Sequence, residues 1–275
     1  DFLSPPTATP IAPRKVYLHL ADNALCFARY ERRADSYFDF ALFPLERRSS
    51  FSQNLRHALD TLPILQAPFT RLEVLVPTAV TPFPIDDFEE EAADAIYNYC
   101  FASEKPRKVF YDALPGANCV LLYALDIEQV RAINALFPQV HYSASLTALL
   151  QYFSTKGLPL AEGKKRLFIH LHEATANIAV FEGNKLFTVN SYAVQSPTDV
   201  SYYAFNLALH TAMNQQEDAF YVYAPEHQRT DILKEMQPFV KELFAPLPSG
   251  EFNRHIASTT PDMPYALLVK LLLGQ

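Results

Sequence analysis

An internal repeat is the feature of this chain that most constrains its fold. Residues 15–33, KVYLHLADNALCFARYERR, align without gaps with residues 166–184, RLFIHLHEATANIAVFEGN, at an offset of 151 residues (166 minus 15). In this alignment His19 matches His170. Residues that favour strands match along both segments. A repeat at this distance predicts two halves with similar folds.

The repeat continues as an order of secondary-structure elements. After the first strand and a turn, in which Asp22 matches Glu173, each copy predicts a second strand, a hairpin, a third strand, a helix and a buried strand. The third strands are residues 37–45 and 185–194. The first helix is residues 51–62, and the second begins after Ser196, its predicted cap. The buried strands are residues 72–77 and 220–225. At the buried strands the offset is 148 residues (225 minus 77). This layout predicts an α/β chain with the duplicated ribonuclease H-like fold, in which two mixed-sheet halves lie about a cleft.

The repeat also divides the chain into regions. Residues 1–14, which contain four prolines, are predicted to be a disordered tail. Residues 15–155 form the predicted first half, with a small inserted subdomain at about 78–143, and residues 156–275 form the second half. Within the insert and after it, we expect strands at residues 108–112, 119–125 and 140–143 and helices at residues 127–137 and 146–153.

An acidic run, PIDDFEEE at residues 84–91, lies in the insert. Carboxylates favour the positive end of the helix dipole, so we expect this run to open a helix. A calcium-binding loop is the alternative, but the run lacks the alternating ligands and the central glycine of such a loop. The run therefore predicts local structure rather than a metal site.

Composition limits the partners and the compartment. The net charge of −7 argues against a general nucleic-acid-binding protein, because phosphate neutralisation needs clustered lysine and arginine. No apolar run approaches the ~20 residues of a membrane-spanning helix. Three widely spaced cysteines, Cys26, Cys100 and Cys119, are predicted to be reduced core thiols, which favours the cytoplasm.

Glycine is scarce in this chain. There are six glycines among 275 residues, whereas proteins in general contain about 7% glycine. Loops that wrap phosphate use glycine for positive φ angles and for close approach of the backbone. The sequence therefore has few positions for a phosphate-binding loop, and we expect no nucleotide cofactor.

Three motifs carry a resemblance to a known family. They are VPTAVTPFPIDDFEEE at residues 76–91, KLFTVNSYAV at residues 185–194 and DVSYYAFN at residues 199–206. On these motifs the chain, from about residue 15 onward, resembles an uncharacterised bacterial family of degenerate actin-like proteins. That family looks like part of the superfamily of actin, sugar kinases and bacterial division and pilus-assembly ATPases. The resemblance implies an actin-like ATPase fold and implies no assigned activity.

Active members of that superfamily carry an Asp-x-Gly turn after the first strand of each half. The aspartate handles metal and attacking water, and the glycine lets the backbone meet phosphate. In this chain His19 and His170 stand at the two aspartate positions, and Ala21 and His172 stand at the two glycine positions. A β-carbon forces the backbone away from phosphate, and a neutral imidazole is a poor substitute for the oxygen ligands that Mg²⁺ prefers.

The third nucleotide element of the superfamily, a Gly-Gly pair on the adenosine side, is replaced as well. The corresponding residues after the strand that ends near Tyr223 are Ala224 and Pro225. All three elements depart from the pattern together, which implies a pseudo-enzyme. The degenerate cleft positions are His19, Ala21, Asp22, Asn23, His170, His172, Glu173, Thr175, Asn177, Ala224 and Pro225.

Histidines at the two turns raise the question of a metal site. His170 and His172 share one face of a strand, and His19 could reach them across the cleft, which would suit zinc. Two histidines on a strand are a weak pattern, so we predict cleft-lining histidines bonded to backbone groups and no metal ligand. A ribonuclease H-type nuclease needs several carboxylates, and Asp22, Asp39 and Glu173 are too few.

The favoured functional hypothesis is a non-catalytic pseudo-ATPase that acts as a scaffold or binds a protein partner. Besides the lost nucleotide motifs, it depends on 15 tyrosines and 21 phenylalanines, because an exposed aromatic cluster would indicate a contact surface. The alternative is a diverged nucleotide-binding kinase or phosphotransferase that holds phosphate through Thr175, Asn177 and Lys185. A metal-dependent hydrolase is a third hypothesis.

Overall fold

A computed structural model describes residues 15–31, 37–156 and 163–273. The predicted tail at residues 1–14 lies outside this described part. Within it, no helix is both long enough and apolar enough to cross a bilayer. The described residues fold into two five-stranded sheets and one three-stranded sheet, with helices packed against them.

The first half is built on a mixed sheet of order β3-β2-β1-β4-β8. Its strands are β1 (Lys15–Leu20), β2 (Ala24–Glu31), β3 (Tyr37–Pro44), β4 (Arg71–Val76) and β8 (Val140–Ala144). The strands β1, β2 and β3 pair antiparallel, whereas β1, β4 and β8 pair parallel. Helices α1 (Phe51–Thr61) and α2 (Pro63–Gln66) connect β3 to β4.

The second half repeats this sheet in the order β11-β10-β9-β12-β13. Its strands are β9 (Lys165–His172), β10 (Thr175–Glu182), β11 (Lys185–Ala193), β12 (Ala219–Tyr223) and β13 (Glu242–Phe244), and its main helices are α6 (Pro197–His210) and α7 (Glu226–Met236). Strand directions match those of the first half. The predicted duplicated fold is therefore confirmed.

The duplication extends to the pairing of individual residues. His19 lies opposite Leu75 in the β1–β4 pair, and His170 lies opposite Tyr223 in the β9–β12 pair. The offsets are 151 (170 minus 19) and 148 (223 minus 75), the two values seen in the sequence. Helices α1 and α6 also begin alike, each with a capping box on a serine, Ser50 or Ser196, which confirms the predicted cap of α6.

The insert is a three-stranded sheet of order β5-β7-β6 with one helix on it. Its elements are β5 (Thr81–Pro84), α3 (Ala93–Cys100), β6 (Arg107–Leu114) and β7 (Cys119–Asp126), followed by α4 (Ile127–Leu136). Strand β5 was not expected, because Pro82 and Pro84 hide it; an edge strand tolerates proline, since one row of its backbone groups is unpaired.

Three sequence predictions need correction here. The acidic run at residues 84–91 contains short 3₁₀ turns, and the α-helix begins only at Ala93, after the run. Residues 140–143, which we placed in the insert, belong to β8 in the main sheet, because β8 pairs parallel with β4. Cys100 is exposed at the end of α3, although Cys26 and Cys119 are buried as expected; all three are free.

A continuous core joins the two halves. Helix α5 (Ser145–Thr155) lies between the two large sheets, and Phe153 on it stacks on Phe168 of β9 at 4.5 Å between ring centroids. Beyond the short helices α8 (Pro248–Glu251) and α9 (Ile256–Thr259), helix α10 (Tyr265–Leu273) crosses to the first half, where it packs on α5, β1 and β2. The insert contacts the second half, since the Val80 N–H donates to Ser191 Oγ of β11 at 3.2 Å. These contacts hold the halves in one arrangement.

Candidate functional site

The turns that follow β1 and β9 meet where the halves face each other. Each turn extends from the end of the central strand of its sheet, so the duplicated topology brings equivalent positions together. The Asp22 N–H donates to Glu173 Oε1 at 2.8 Å, and these two residues are equivalent in the repeat. Glu173 has a φ of 51°, a left-handed conformation that is uncommon for residues other than glycine. A carboxylate from one half therefore caps the turn of the other half.

The carboxyl of Glu173 is electrostatically unusual. Burial, together with the neighbouring Asp22 carboxyl, raises the pKa of Glu173 to about 7. Near neutral pH this carboxyl is therefore partly protonated. His172 Nε2 is 3.8 Å from Glu173 Oε2, beyond the range of a hydrogen bond.

Behind these turns lies a cluster of three imidazoles, His19, His170 and His172, which we call the histidine cluster; the first two are buried and His172 is partly buried. Ring centroids are 5.1 Å apart for His19 and His172, and 6.4 Å apart for His170 and His172. Within the described ranges, His19 Nδ1, His170 Nδ1 and His172 Nε2 are buried without any hydrogen-bond partner. The expectation that backbone groups would satisfy these histidines is wrong for these three nitrogens.

Burial keeps the histidine cluster uncharged. It holds the pKa of His19 well below the usual 6.5 and lowers the pKa of His170 to about 3. The pKa of His172 is lowered by the same cause, and the nearby Asp22 partly counters the shift. Each further imidazole in the cluster would also repel a charge on its neighbour. At pH 7 all three rings are therefore neutral.

The space between the three rings is small. A cavity of about 10 Å³ is enclosed by the histidine cluster with Ser145, Thr175 and Asn177, among others. This is about the room that one water molecule needs. In the part of the chain that the structure describes, no group of three or more His, Cys, Asp or Glu side chains is arranged to hold a metal ion. The cavity is too small for a phosphate group.

The side chains proposed to hold a nucleotide in a diverged kinase do not converge. Asn177 Oδ1 accepts a hydrogen bond from Ser191 Oγ at 2.7 Å, so it helps to dock the insert. Thr175 begins β10 at the histidine cluster, whereas Lys185 lies opposite Glu182 at the other end of that strand. Thr175 and Glu182 are seven residues apart on β10. Because a strand rises ~3.3 Å per residue, Lys185, which lies opposite Glu182, is roughly 20 Å from Thr175.

A larger space, which we call the inter-half cleft, opens beside the histidine cluster. Its volume is about 1030 Å³. The cleft positions Ala21, Asn23, His170, His172, Ala224 and Pro225 line it. The structure thus brings six of the predicted positions to one cleft. Asp22 and Glu173 instead form a hydrogen bond with each other. The remaining three, His19, Thr175 and Asn177, line the small cavity.

A second polar site, which the sequence did not predict, lies between the halves. Glu251 accepts hydrogen bonds from the hydroxyls of Tyr152 at 3.1 Å, Tyr223 at 3.1 Å and Tyr265 at 2.7 Å. Lys156 Nζ lies 3.6 Å from the same carboxylate. We call this the tyrosine–Glu251 network. Its tyrosines come from α5, β12 and α10, so no local sequence signal connects them.

Burial, and then the nearby Glu251 carboxylate, raises the pKa of each tyrosine of this network. The hydroxyls therefore remain protonated and able to donate. A glutamate that accepts three such bonds is well satisfied, since a carboxylate has about four acceptor sites. The network thus joins both halves and α10 through one partly buried carboxylate.

Solved structures with similar folds support this architecture. A Bacteroides thetaiotaomicron protein described as having an actin-like ATPase fold and unknown function is 19% identical, covers 93% of this chain and 95% of its own, and gives a TM-score of 0.78. A PilM-PilN type IV pilus biogenesis complex gives 0.56 at 10% identity, over 94% of this chain and 97% of that one. The predicted actin-like ATPase fold is confirmed.

Comparisons of sequence are more limited. No curated protein matches this chain. A family model described as "Protein of unknown function (DUF3822)" matches residues 7–243. The similarity to solved structures concerns the fold, because the identities are all low.

Proposed function

This chain belongs to the DUF3822 family, and we propose that it is a non-catalytic member of the actin-like ATPase fold that acts by binding another protein. It would work without a nucleotide, a metal or another cofactor. Its two halves would then form a fixed scaffold rather than a catalytic clamp.

The observation that carries this proposal is the hydrogen bond between Asp22 and Glu173. A phosphate-binding turn needs free backbone N–H groups that point toward the ligand. Here the Asp22 N–H is 2.8 Å from a carboxylate oxygen of the opposite turn. An incoming phosphate would have to displace that carboxyl and would be repelled by its charged form, and by Asp22 itself.

The histidine cluster favours the same conclusion. His19 and His172 are in edge-to-face contact, at 5.1 Å between centroids, where the superfamily resemblance implies a metal-binding aspartate and a glycine. Their neutral rings are poor ligands for Mg²⁺. The remaining cavity of about 10 Å³ has no room for a hydrated ion with a phosphate.

Calorimetry tests the loss of nucleotide binding. We expect no heat of binding when millimolar ATP with Mg²⁺ is titrated into the protein. The variant Glu173→Ala frees the Asp22 N–H and removes one carboxyl, so it should bind ATP or inorganic phosphate more strongly than the natural chain does. Micromolar binding of ATP to the natural chain, or ATP hydrolysis by it, would contradict the proposal.

An exposed apolar stripe on α6 supports the protein-binding role. Tyr202 and Leu209 on this helix are 61% and 76% exposed, and Phe239, which contacts Phe205 of α6, is 55% exposed. Contiguous large apolar side chains on a surface are typical of contact sites. The structurally similar PilM is in a complex with PilN, so one protein with a similar fold binds another protein.

Photo-crosslinking can test this surface. A photoreactive amino acid at position 209 should form a discrete crosslinked product in the native cell, and Tyr202→Ser in the same chain should reduce it. The control position is Arg131, an exposed residue on α4. Equal products from positions 131 and 209, or none from 209, would count against α6 as the binding surface.

The alternative, a diverged nucleotide-binding kinase or phosphotransferase, is favoured by one observation. The inter-half cleft of about 1030 Å³ is large enough for a nucleotide. A nucleotide there would have to bind without Lys185, which lies at the far end of β10 from Thr175. The calorimetric titration described above separates this alternative from the main proposal.

A further inference from the structure

The inter-half cleft is a large space between the described residues of the two halves, and the proposed function assigns it no occupant. Its volume of about 1030 Å³ lies at the upper end of the range of small-molecule sites. One wall comes from the first half, with Ala21 and Leu42, and the other from the second half, with Pro225 and Leu247. Both walls belong to elements fixed by the shared core, so the cleft is formed before any ligand arrives.

The walls of the cleft are largely apolar. Apolar side chains and prolines predominate, among them Leu42, Pro44, Pro225, Leu247 and Met263. Proline carries no backbone N–H, which removes donors that could bind phosphate. Leu42 and Leu247 are 39% and 51% exposed, so they would lose contact with water when a ligand covers them.

The floor of the cleft is polar but uncharged. His170 is 6% exposed and lies between the cleft and the small cavity, and its Nδ1 has no hydrogen-bond partner within the described ranges. A neutral imidazole can donate or accept a hydrogen bond. It does not attract an anion in the way that lysine or arginine would.

The charged residues of the lining disfavour an anion. Glu226 and Asp262 contribute two carboxylates, and Arg229 contributes one guanidinium. The lining therefore carries a net negative charge when its histidines are neutral. A triphosphate would enter this field at an electrostatic cost, whereas a neutral molecule would not.

We propose that the inter-half cleft binds an uncharged, largely apolar organic molecule. Burial of the apolar walls would supply the affinity, and the polar floor would orient one hydroxyl, amide or amine group of the ligand. This inference goes beyond the proposed function, because the cleft and the α6 surface are separate.

Two related fluorescent probes test the ligand class. N-phenyl-1-naphthylamine is uncharged, and 8-anilinonaphthalene-1-sulfonate has the same ring system with an added sulfonate. We expect the natural chain to bind the uncharged probe at least about tenfold more tightly than the sulfonate, and ATP with Mg²⁺ to leave the bound probe in place. Equal or tighter binding of the sulfonate, or no binding of the uncharged probe, would overturn the proposal.

Variants locate the probe. Leu42→Trp and Leu247→Trp fill the cleft from opposite walls, and each should weaken binding of the uncharged probe about tenfold. Leu209→Trp on α6 is the matched control, since it adds the same side chain outside the cleft, and it should bind like the natural chain. Circular dichroism melting would show that each variant is folded. Weakening by Leu209→Trp alone would place the probe on α6 and refute the cleft site while leaving the proposed protein-binding surface intact.

Discussion

Two polar clusters lie between the halves of this molecule, and they differ in how well they are satisfied. In the tyrosine–Glu251 network, three hydroxyls donate to one carboxylate at 2.7–3.1 Å. In the histidine cluster, each ring has a buried nitrogen for which the described part of the chain provides no partner. Satisfied buried networks rigidify a structure, whereas unsatisfied polar groups are costly. The tyrosine–Glu251 network therefore holds the halves together by hydrogen bonds, whereas the histidine cluster only fills the space between them.

The location of the two clusters explains this difference. The histidines stand at the turns where the superfamily resemblance implies a nucleotide. They occupy that space but do not replace the hydrogen bonds that a nucleotide would make there. The network connects α5, β12 and α10, which form the permanent core. The side chains of the tyrosine–Glu251 network both pack against each other and form hydrogen bonds. The network is therefore a stronger contact between the halves than the histidine cluster is.

The largest predicted effect breaks the network. Glu251→Ala leaves three buried tyrosine hydroxyls without their acceptor, so we expect a loss of about 3–5 kcal/mol in the free energy of unfolding, measured with urea. Glu251→Gln keeps one acceptor and should lose less. The control is Glu217→Ala, because Glu217 is an exposed glutamate that is 3.4 Å from Lys164 and should change stability by less than about 1 kcal/mol. A loss under about 1 kcal/mol for Glu251→Ala would show that the network is dispensable.

A second, intermediate effect appears in the pH dependence of stability. The folded pKa of His19 and of His170 lies below the unfolded value of 6.5, so the unfolded chain binds more protons below that pH. Their contribution to stability is present above pH 6.5 and is lost as the pH falls toward about 3. Within this window, each of the two histidines should lower the free energy of unfolding by about 1.4 kcal/mol for each unit by which the pH falls. Urea unfolding from neutral to mildly acidic pH would measure the slope.

Glu173 acts in the opposite direction over part of the same range. Its folded pKa of about 7 exceeds the usual 4.5, so its contribution is present below pH 4.5 and is lost as the pH rises through about 7. Glu173→Gln should therefore steepen the acid loss that the histidines cause. An unchanged slope in a variant that carries His19→Phe and His170→Phe would mean that other groups govern acid unfolding.

The sequence was sufficient for the fold because the repeat is visible without a structure. The offset of 151 predicted the alignment of His19 with His170, and the strand pairs His19–Cys26 and His170–Asn177 follow it. It also matched Asp22 with Glu173, which the structure places in direct contact. In a duplicated fold with the halves facing each other, equivalent turns meet, so a sequence repeat can predict a spatial contact.

The network could not be predicted in this way. Tyr152 and Tyr265 are separated by 113 residues (265 minus 152), and only the crossing of α10 to the first half brings them together. Glu251 lies in a short helix with no repeat partner that we recognised. The bonding state of the histidines was beyond the sequence for a related reason, since it depends on which atoms the opposite half presents.

The smallest predicted effect sharpens the comparison by substituting one histidine. His19→Leu replaces a buried imidazole, whose Nδ1 has no hydrogen-bond partner among the described residues, with an apolar side chain of similar size, so the cost of desolvating that nitrogen disappears. We expect stability at pH 7 to be unchanged or to rise by up to about 1 kcal/mol, measured as the midpoint of urea unfolding.

A second histidine provides the matched control for that substitution. His141 Nδ1 lies 2.8 Å from Glu73 Oε2, and the Glu73 side chain is 5% exposed. His141→Leu removes this contact from a buried carboxylate, so it should lower stability by about 1–3 kcal/mol, although Arg71 continues to pair with Glu73. We therefore expect the two substitutions to change stability in opposite directions, because the His141 ring contacts a carboxylate and Nδ1 of His19 has no hydrogen-bond partner among the described residues. If His19→Leu proved as costly as His141→Leu, the His19 ring would have to make a stabilising bond in solution, and the contrast between the two clusters would fail.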